Sequence, residues 1–224
     1  MASKRSYEDG CAAAHALDLI GERWALLVVR ELLLGPRRFT DLRAALPGIS
    51  PNVLTQRLVD LEETGVLRRR HLPAPAASWV YELTSWGYEL EPVLQQLGRW
   101  GVRSPVRPQG HPISLATLIT ALKTMFQSPG GELKATLELR MGRDTFTVRL
   151  EDGQIAVEPG EARHPSAVLT GDVPTLGGLI FGGQPLQAAE AEGRVAVEGD
   201  RALAEHFLRL FPLPGPVVLS GVAS

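Results

Sequence analysis

Residues 37–84 constrain this chain most. They join two short helical periodicities, broken by a Pro-Gly stop, to a strand-like run holding three consecutive arginines. Phe39, Leu42 and Leu46 fall at spacings that share one helical face. Pro47 and Gly48 end that helix, because proline lacks the amide a continuing helix needs and glycine supplies a permissive turn. Ser50 is placed to cap the next helix and Pro51 to occupy its first position, where a missing amide costs nothing. There Leu54, Leu58 and Leu61 recur at i, i+4 and i+7, an inward stripe that turns Asn52, Thr55, Gln56 and Val59 outward. Beyond Gly65, runs 66–72 and 79–83 read as strands separated by the turn-forming segment 73–77. Arg68, Arg69, Arg70 and His71 then lie on a ribbon beside the second helix.

Two helices followed by a basic hairpin are the parts of a winged helix-turn-helix, which sets its second helix in a DNA groove and its ribbon on the backbone. The outward residues have suitable chemistry. Asn52 and Gln56 carry planar amides able to pair with an adenine edge, and Thr55 can bond a base or phosphate. The expected DNA-contacting set is Arg37, Arg38, Ser50, Asn52, Thr55, Gln56, Arg57, Arg68, Arg69 and Arg70. A polar outer face is also the ordinary state of a helix in water, so the helix alone does not separate readout from solvation. The arginine ribbon adds what that helix lacks, cations placed to neutralise phosphates and release counterions. The net charge of −2 divides unevenly. Residues 1–107 hold 14 Lys+Arg against 12 Asp+Glu, while 108–224 hold 9 against 13. The basic excess is thus local to the proposed motif, where the field acts.

Four segments, residues 11–24 (CAAAHALDLIGERW), 32–43 (LLLGPRRFTDLR), 46–62 (LPGISPNVLTQRLVDLE) and Tyr81-Glu82-Leu83-Thr84, together resemble the HxlR family of winged-helix transcription regulators. The resemblance covers roughly the first hundred residues. It implies a homodimer reading a pseudo-palindromic operator in double-stranded DNA. One position departs from the family pattern: Ser78 stands about where members often carry an arginine on the returning strand. The wing's phosphate contact must then come from Arg68 to Arg70, or be weaker than usual. A single helix over 85–100 is expected, with Leu90, Leu94 and Leu97 on one stripe and Trp86, Val93 and Trp100 close by. A module this small has little interior for two tryptophans, which points to dimerisation through this helix and the N-terminal helices; closure of the stripe within its own domain is the alternative.

Segment 101–112 (GVRSPVRPQGHP) concentrates proline, glycine and basic residues and reads as a linker. It divides the chain into a DNA-binding and dimerisation domain, 1–107, and a second domain, 108–224. The second begins with a helix over 114–126, followed by strand-like runs 133–140, 145–150 and 154–158. Next come a strand at 167–171, a helix at 173–181 capped by Asp172, a strand at 193–197 and a helix at 200–211. The layout is α+β, with a mainly antiparallel sheet packed by helices. Leu169-Thr170-Gly171-Asp172, the run 176–180, the run 193–200 (GRVAVEGD) and the closing 208–211 resemble the sterol carrier protein type-two family. That resemblance implies an apolar chamber lined by Leu118, Leu122, Phe126, Phe146, Leu176, Leu179, Ile180, Phe181, Phe207 and Phe211, which would take a hydrophobic small-molecule effector. Apolar residues at such spacings more often fill a solid core, so both readings stand.

Cys11, the single cysteine, lies at the start of the first helix, where several HxlR-like regulators carry a sensing thiol. A helix start can lower a thiol pKa, although a free cysteine more often serves as a small buried hydrophobe. The five histidines are scattered without metal-ligand spacing, and no GxGxxG, Gly-Lys-Ser/Thr or Gly-Xaa-Ser-Xaa-Gly pattern occurs. No metal, no cofactor and no enzymatic activity are expected. Without an apolar run of ~18 residues or a signal core after Met1-Ala2-Ser3-Lys4-Arg5, the expected location is the cytoplasm. The function expected is a ligand-responsive transcription regulator; a carrier of lipids or apolar ligands and a thiol-based sensor acting through Cys11 are the alternatives.

Overall fold

The computed structural model describes residues 6–75, 77–108, 110–130 and 133–218. The start 1–5, Ala76 of the expected turn and Gln109 of the expected linker lie outside them. The chain divides into two compact units, the first ending at Leu94 and the second beginning at Gln95. The division falls inside a helix and ahead of the linker at 101–112.

The first unit is built from α1 (Ala12–Ile20), α2 (Ala25–Leu32), α3 (Phe39–Ala45), α4 (Pro51–Glu63), β1 (Leu67–His71), β2 (Trp79–Leu83) and α5 (Ser85–Tyr88), and α6 (Leu90–Gly101) starts within it. The expected stripe is its interior. Leu54, Leu58 and Leu61 of α4 are buried with Val28, Val29 and Leu32 of α2, Leu42 of α3, and Val66, Leu67 and Leu83 around the hairpin. Such burial contributes ~1.5–3 kcal/mol per leucine or valine. Ser50 caps α4 by accepting the Val53 N–H at 3.3 Å. The turn between α3 and α4 carries Gly48 at φ +91°, in the left-handed region where a side chain would be strained.

The single helix expected over 85–100 is instead two. Thr84 caps α5 by accepting the Gly87 N–H at 3.0 Å, and α5 ends at Tyr88. Pro92 supplies the reason: inside a continuous helix it would have no N–H for the Tyr88 carbonyl, and its ring would strike that carbonyl. In the first turn of a new helix beginning at Leu90 it meets neither difficulty. Gly87 permits the close approach of α5 to the chain ahead of β1, since a Cβ there would lie 2.0 Å from the Val66 carbonyl oxygen.

The second unit holds α7 (Leu115–Met125), β3 (Ala135–Met141), β4 (Asp144–Glu151), β5 (Gln154–Pro159), β6 (Ala167–Gly171), α8 (Val173–Phe181), α9 (Leu186–Ala191), β7 (Val195–Gly199) and α10 (Arg201–Phe207). Its sheet runs β5-β4-β3-β6-β7. Three of the four pairings are antiparallel, and β3 with β6 is parallel. Asp172 caps α8 by accepting the Thr175 N–H at 2.8 Å, as expected. Two expectations are corrected. The last strand begins at Val195 because residues 192–194 complete the C-terminal turn of α9, a six-residue helix too short to show a period. The last helix ends at Phe207, so Phe211 lies beyond it.

Candidate nucleic-acid interface and C-terminal cleft

Helix α4 turns Asn52, Thr55, Gln56 and Val59 to solvent, as its periodicity requires. Thr55 Oγ1 donates to the Pro51 carbonyl at 2.9 Å. Its proton is therefore used within the helix, and toward a partner the hydroxyl offers lone pairs. Gln56 Nε2 donates to Asp60 Oδ1 at 2.9 Å, leaving one N–H and the carbonyl oxygen of that amide outward. Arg57 departs from the expectation. Its side chain is only 14% exposed, and Nη1 and Nη2 lie 3.4 Å from Glu22 Oε2 and 3.0 Å from Asp60 Oδ2. The inward turn at i+3 from Leu54 draws it against the fold rather than out to a phosphate.

The wing is fixed to α4 and to the chain before α3. Glu62 Oε1 accepts the Arg69 backbone N–H at 3.0 Å, and Thr84 Oγ1 donates to the Gly65 carbonyl at 2.7 Å. Arg37 and Tyr81 exchange backbone hydrogen bonds of 2.9 and 2.8 Å, a short bridge beyond the hairpin itself. Arg37 is half-buried there, while Arg38 and Ser50 are exposed at the starts of α3 and α4.

Pairing of β1 with β2 sets Arg68 opposite Glu82 and Arg69 opposite Tyr81. This register divides the three arginines. Arg68 and Arg70 donate through Nε to the two oxygens of Glu82 at 2.7 and 2.6 Å. Burial pushes the Glu82 carboxyl up, but the hydrogen bonds and charges of Arg70 and Arg68 outweigh it and hold it below its ordinary value. Those two arginines share one buried anion, so together they offer less free charge than expected. Arg69 lies on the other face, its guanidinium 4.5 Å from the Trp79 ring centroid and 5.9 Å from that of Tyr81. His71 meets the edge of Trp79 at 5.2 Å. Sequence reasoning placed Trp79, Tyr81 and Glu82 on the returning strand but missed them as partners of the arginines; a lone acid on the strand returning past three arginines was the available signal.

Cys11 is exposed at the cap of α1. The backbone N–H groups of Ala14 and Ala13 lower its thiol pKa, against a smaller opposing effect of burial.

In the second unit, a cleft of about 570 Å³ opens between α8, α9 and the end of α10. Leu179, Ile180, Leu186, Leu208 and Phe211 give it apolar walls, and Gln184, Gln187, Arg201, Glu205 and Arg209 a polar rim. Of the ten residues expected around one chamber, Leu179, Ile180 and Phe211 line this cleft. Leu118, Leu122, Phe146, Leu176 and Phe207 are buried and do not line it. Phe126, Phe181 and Phe207 instead gather on Phe211, with ring centroids 6.0, 6.3 and 5.0 Å away. Three of the ten thus meet at the cleft, and three others pack their rings around Phe211. Among the described residues no group of His, Cys, Asp and Glu gathers with the arrangement of a metal site, and no helix is long and apolar enough to cross a membrane.

A polar-faced second helix, a fixed turn before it and a cationic hairpin beside it define a winged helix-turn-helix transcription regulator. The chain belongs to the HxlR-like helix-turn-helix family, whose model matches residues 19–107. Residues 130–212 match the SCP-2 sterol transfer family. The uncharacterized HTH-type transcriptional regulator YvaP of Bacillus subtilis is 40% identical over 85 residues, which cover 38% of this chain and 79% of YvaP. The HTH-type transcriptional regulator YodB of the same organism is 35% identical over 85 residues, covering 38% of this chain and 76% of YodB. A solved structure of reduced YodB is 32% identical, covers 43% of this chain and 95% of its own, and superposes with a TM-score of 0.39.

Proposed function

We propose that the protein is a homodimeric regulator in which α4 of each subunit reads one half of a pseudo-palindromic operator and an apolar small molecule in the C-terminal cleft modulates affinity for it. The observation that carries DNA readout is the outward row Asn52, Thr55 and Gln56 beside a wing whose Arg69 has no carboxylate partner among the described residues. Asn52 and Gln56 supply the donor and acceptor edges of base recognition, and the wing arginines with Arg37 and Arg38 supply phosphate contacts that fix register. Dimerisation is supported by apolar side chains left in solvent: Leu17 of α1 is 51% exposed, and Val93, Leu97 and Trp100 of α6 are 43, 45 and 78% exposed. Helix α6 buries none of its residues, an arrangement that disfavours a monomer in water.

The apolar walls of the cleft favour a hydrophobic effector, and its polar rim would orient one end of it. Occupancy coupled to operator affinity by ~1–3 kcal/mol would change DNA binding several-fold to about a hundredfold. No catalytic step is assigned to the chain. A second reading has its own observation, the exposed Cys11 thiol with its pKa lowered by backbone N–H groups, which favours modification by electrophiles or oxidants as an additional input.

Selection from a randomised duplex pool at ~150 mM salt, where non-specific attraction is strongly screened, tests the reading. An enriched palindrome is expected. A folded dimer that enriches no sequence, with or without apolar ligands, would overturn it in favour of a ligand carrier.

A further inference from the structure

We propose that Asp60, a residue outside the expected contact set, determines base preference by holding the Gln56 amide in one of its two flip states. The inference rests on reading Gln56 as a base-contacting residue. Three side chains of α4 and one from the turn after α1 form a continuous polar chain. Gln56 Nε2 donates to Asp60 Oδ1 at 2.9 Å, Arg57 Nη2 lies 3.0 Å from Asp60 Oδ2, and Arg57 Nη1 lies 3.4 Å from Glu22 Oε2. The helix makes this geometry available, since Asp60 is i+4 from Gln56 and i+3 from Arg57. Arg57 and Asp60 are the anchored members, with side chains 14% and 19% exposed.

A carboxylate only accepts hydrogen bonds, whereas an amide presents donors at one end and an acceptor at the other. Turning the Gln56 amide over would set its oxygen against Asp60 Oδ1, two acceptors facing each other. The carboxylate therefore selects the state in which nitrogen faces Asp60. One N–H and the carbonyl oxygen are then left for a partner, a donor beside an acceptor. That edge complements adenine, whose major-groove side offers the N7 acceptor and the N6 donor. Guanine offers two acceptors, N7 and O6, and would meet the glutamine oxygen with an unfavourable contact. An amide released from Asp60 could turn both of its N–H groups toward guanine. Arg57 completes the arrangement by fixing the second carboxylate oxygen and offsetting a negative charge that would otherwise stand near phosphates. This is its role in place of a backbone contact, and Glu22 holds it from the other side. Asp60 is thus a positioning residue acting through Gln56.

The test uses the full-length protein and the operator obtained by selection, with all four bases placed in turn at the position where Gln56→Ala loses discrimination. The parent protein is expected to prefer adenine there. Asp60→Ala should reduce the adenine-to-guanine ratio by about tenfold, within the range a bidentate base contact supplies, while preferences at other positions stay unchanged. Asp60→Asn, which keeps an acceptor oxygen in reach of Gln56, should retain part of the ratio; it also carries the test if the alanine variant fails to fold. Equal loss of affinity for all four bases in folded Asp60 variants would overturn the proposal and leave Asp60 a structural role. If Gln56→Ala alters preference at no position, the reading of Gln56 itself fails and the proposal with it. That outcome is seen in the Gln56 variant alone and is distinct from failure at Asp60.

Discussion

The three adjacent wing arginines are not equivalent, because strand alternation sends Arg68 and Arg70 to Glu82 and Arg69 to the aromatic face. Arg69→Ala is expected to weaken binding to all DNA sequences alike and to flatten the salt dependence by about one unit of slope, measured by fluorescence anisotropy between ~50 and ~200 mM salt. Glu82 has a different signature. Its carboxyl pKa is depressed in the folded state, so the stability it contributes is present above the ordinary glutamate value of ~4.3 and is lost as pH falls through the lower folded value. Glu82→Gln should therefore unfold more readily at pH 7 and show a shallower loss of stability below pH ~4.3, followed by denaturant titration across pH. For Cys11, whose lowered pKa comes from the α1 backbone, the alkylation rate should reach half its maximum below pH ~8.5, the value of an unperturbed thiol.

Among the elements, α3 and α4 were the most legible, because a proline stop, a serine cap and a leucine stripe all indicate the same boundaries and the same inward face. The Ser50 cap should be measurable: Ser50→Ala is expected to cost ~1 kcal/mol in chemical denaturation, by loss of the acceptor for the Val53 N–H. The segment after β2 was misread as one helix although Pro92 was in view; a leucine stripe running past the break outweighed the proline. Helix α9 and the start of β7 were illegible because six residues do not establish a period and the glycine that follows fits either a helix end or a strand entry. Helix α6 carries the element-scale prediction for assembly. Trp100→Glu, at a residue 78% exposed, should leave the fold intact and shift the protein from dimer to monomer in sedimentation velocity; an unchanged dimer would remove α6 from the interface.

At the scale of the whole molecule, two family-type units on one chain give linkage its meaning. If an apolar effector in the cleft weakens operator affinity by some factor, the operator must weaken effector affinity by the same factor. Paired calorimetric titrations, effector with and without DNA and DNA with and without effector, should return equal ratios. Ile180→Ala, which removes part of an apolar wall of the cleft, should weaken the effector response while leaving operator affinity without effector unchanged.

The order α3, α4, β1 and β2, the inward stripe of α4, the polar row facing outward and the α+β layout of the second half were determined by the sequence alone, because periodicity, caps and turn residues act over neighbours a few positions apart. What Arg57, Arg68 and Arg70 do was decided only by tertiary structure. Their partners Glu22 and Glu82 lie 35, 14 and 12 positions away respectively, and only strand register and helix packing bring those carboxylates within hydrogen-bonding distance. The cleft follows the same rule. Composition makes the C-terminal phenylalanines apolar, but whether they surround a space or pack on Phe211 depends on how rings from α8, α10 and the segments after α7 and α10 meet.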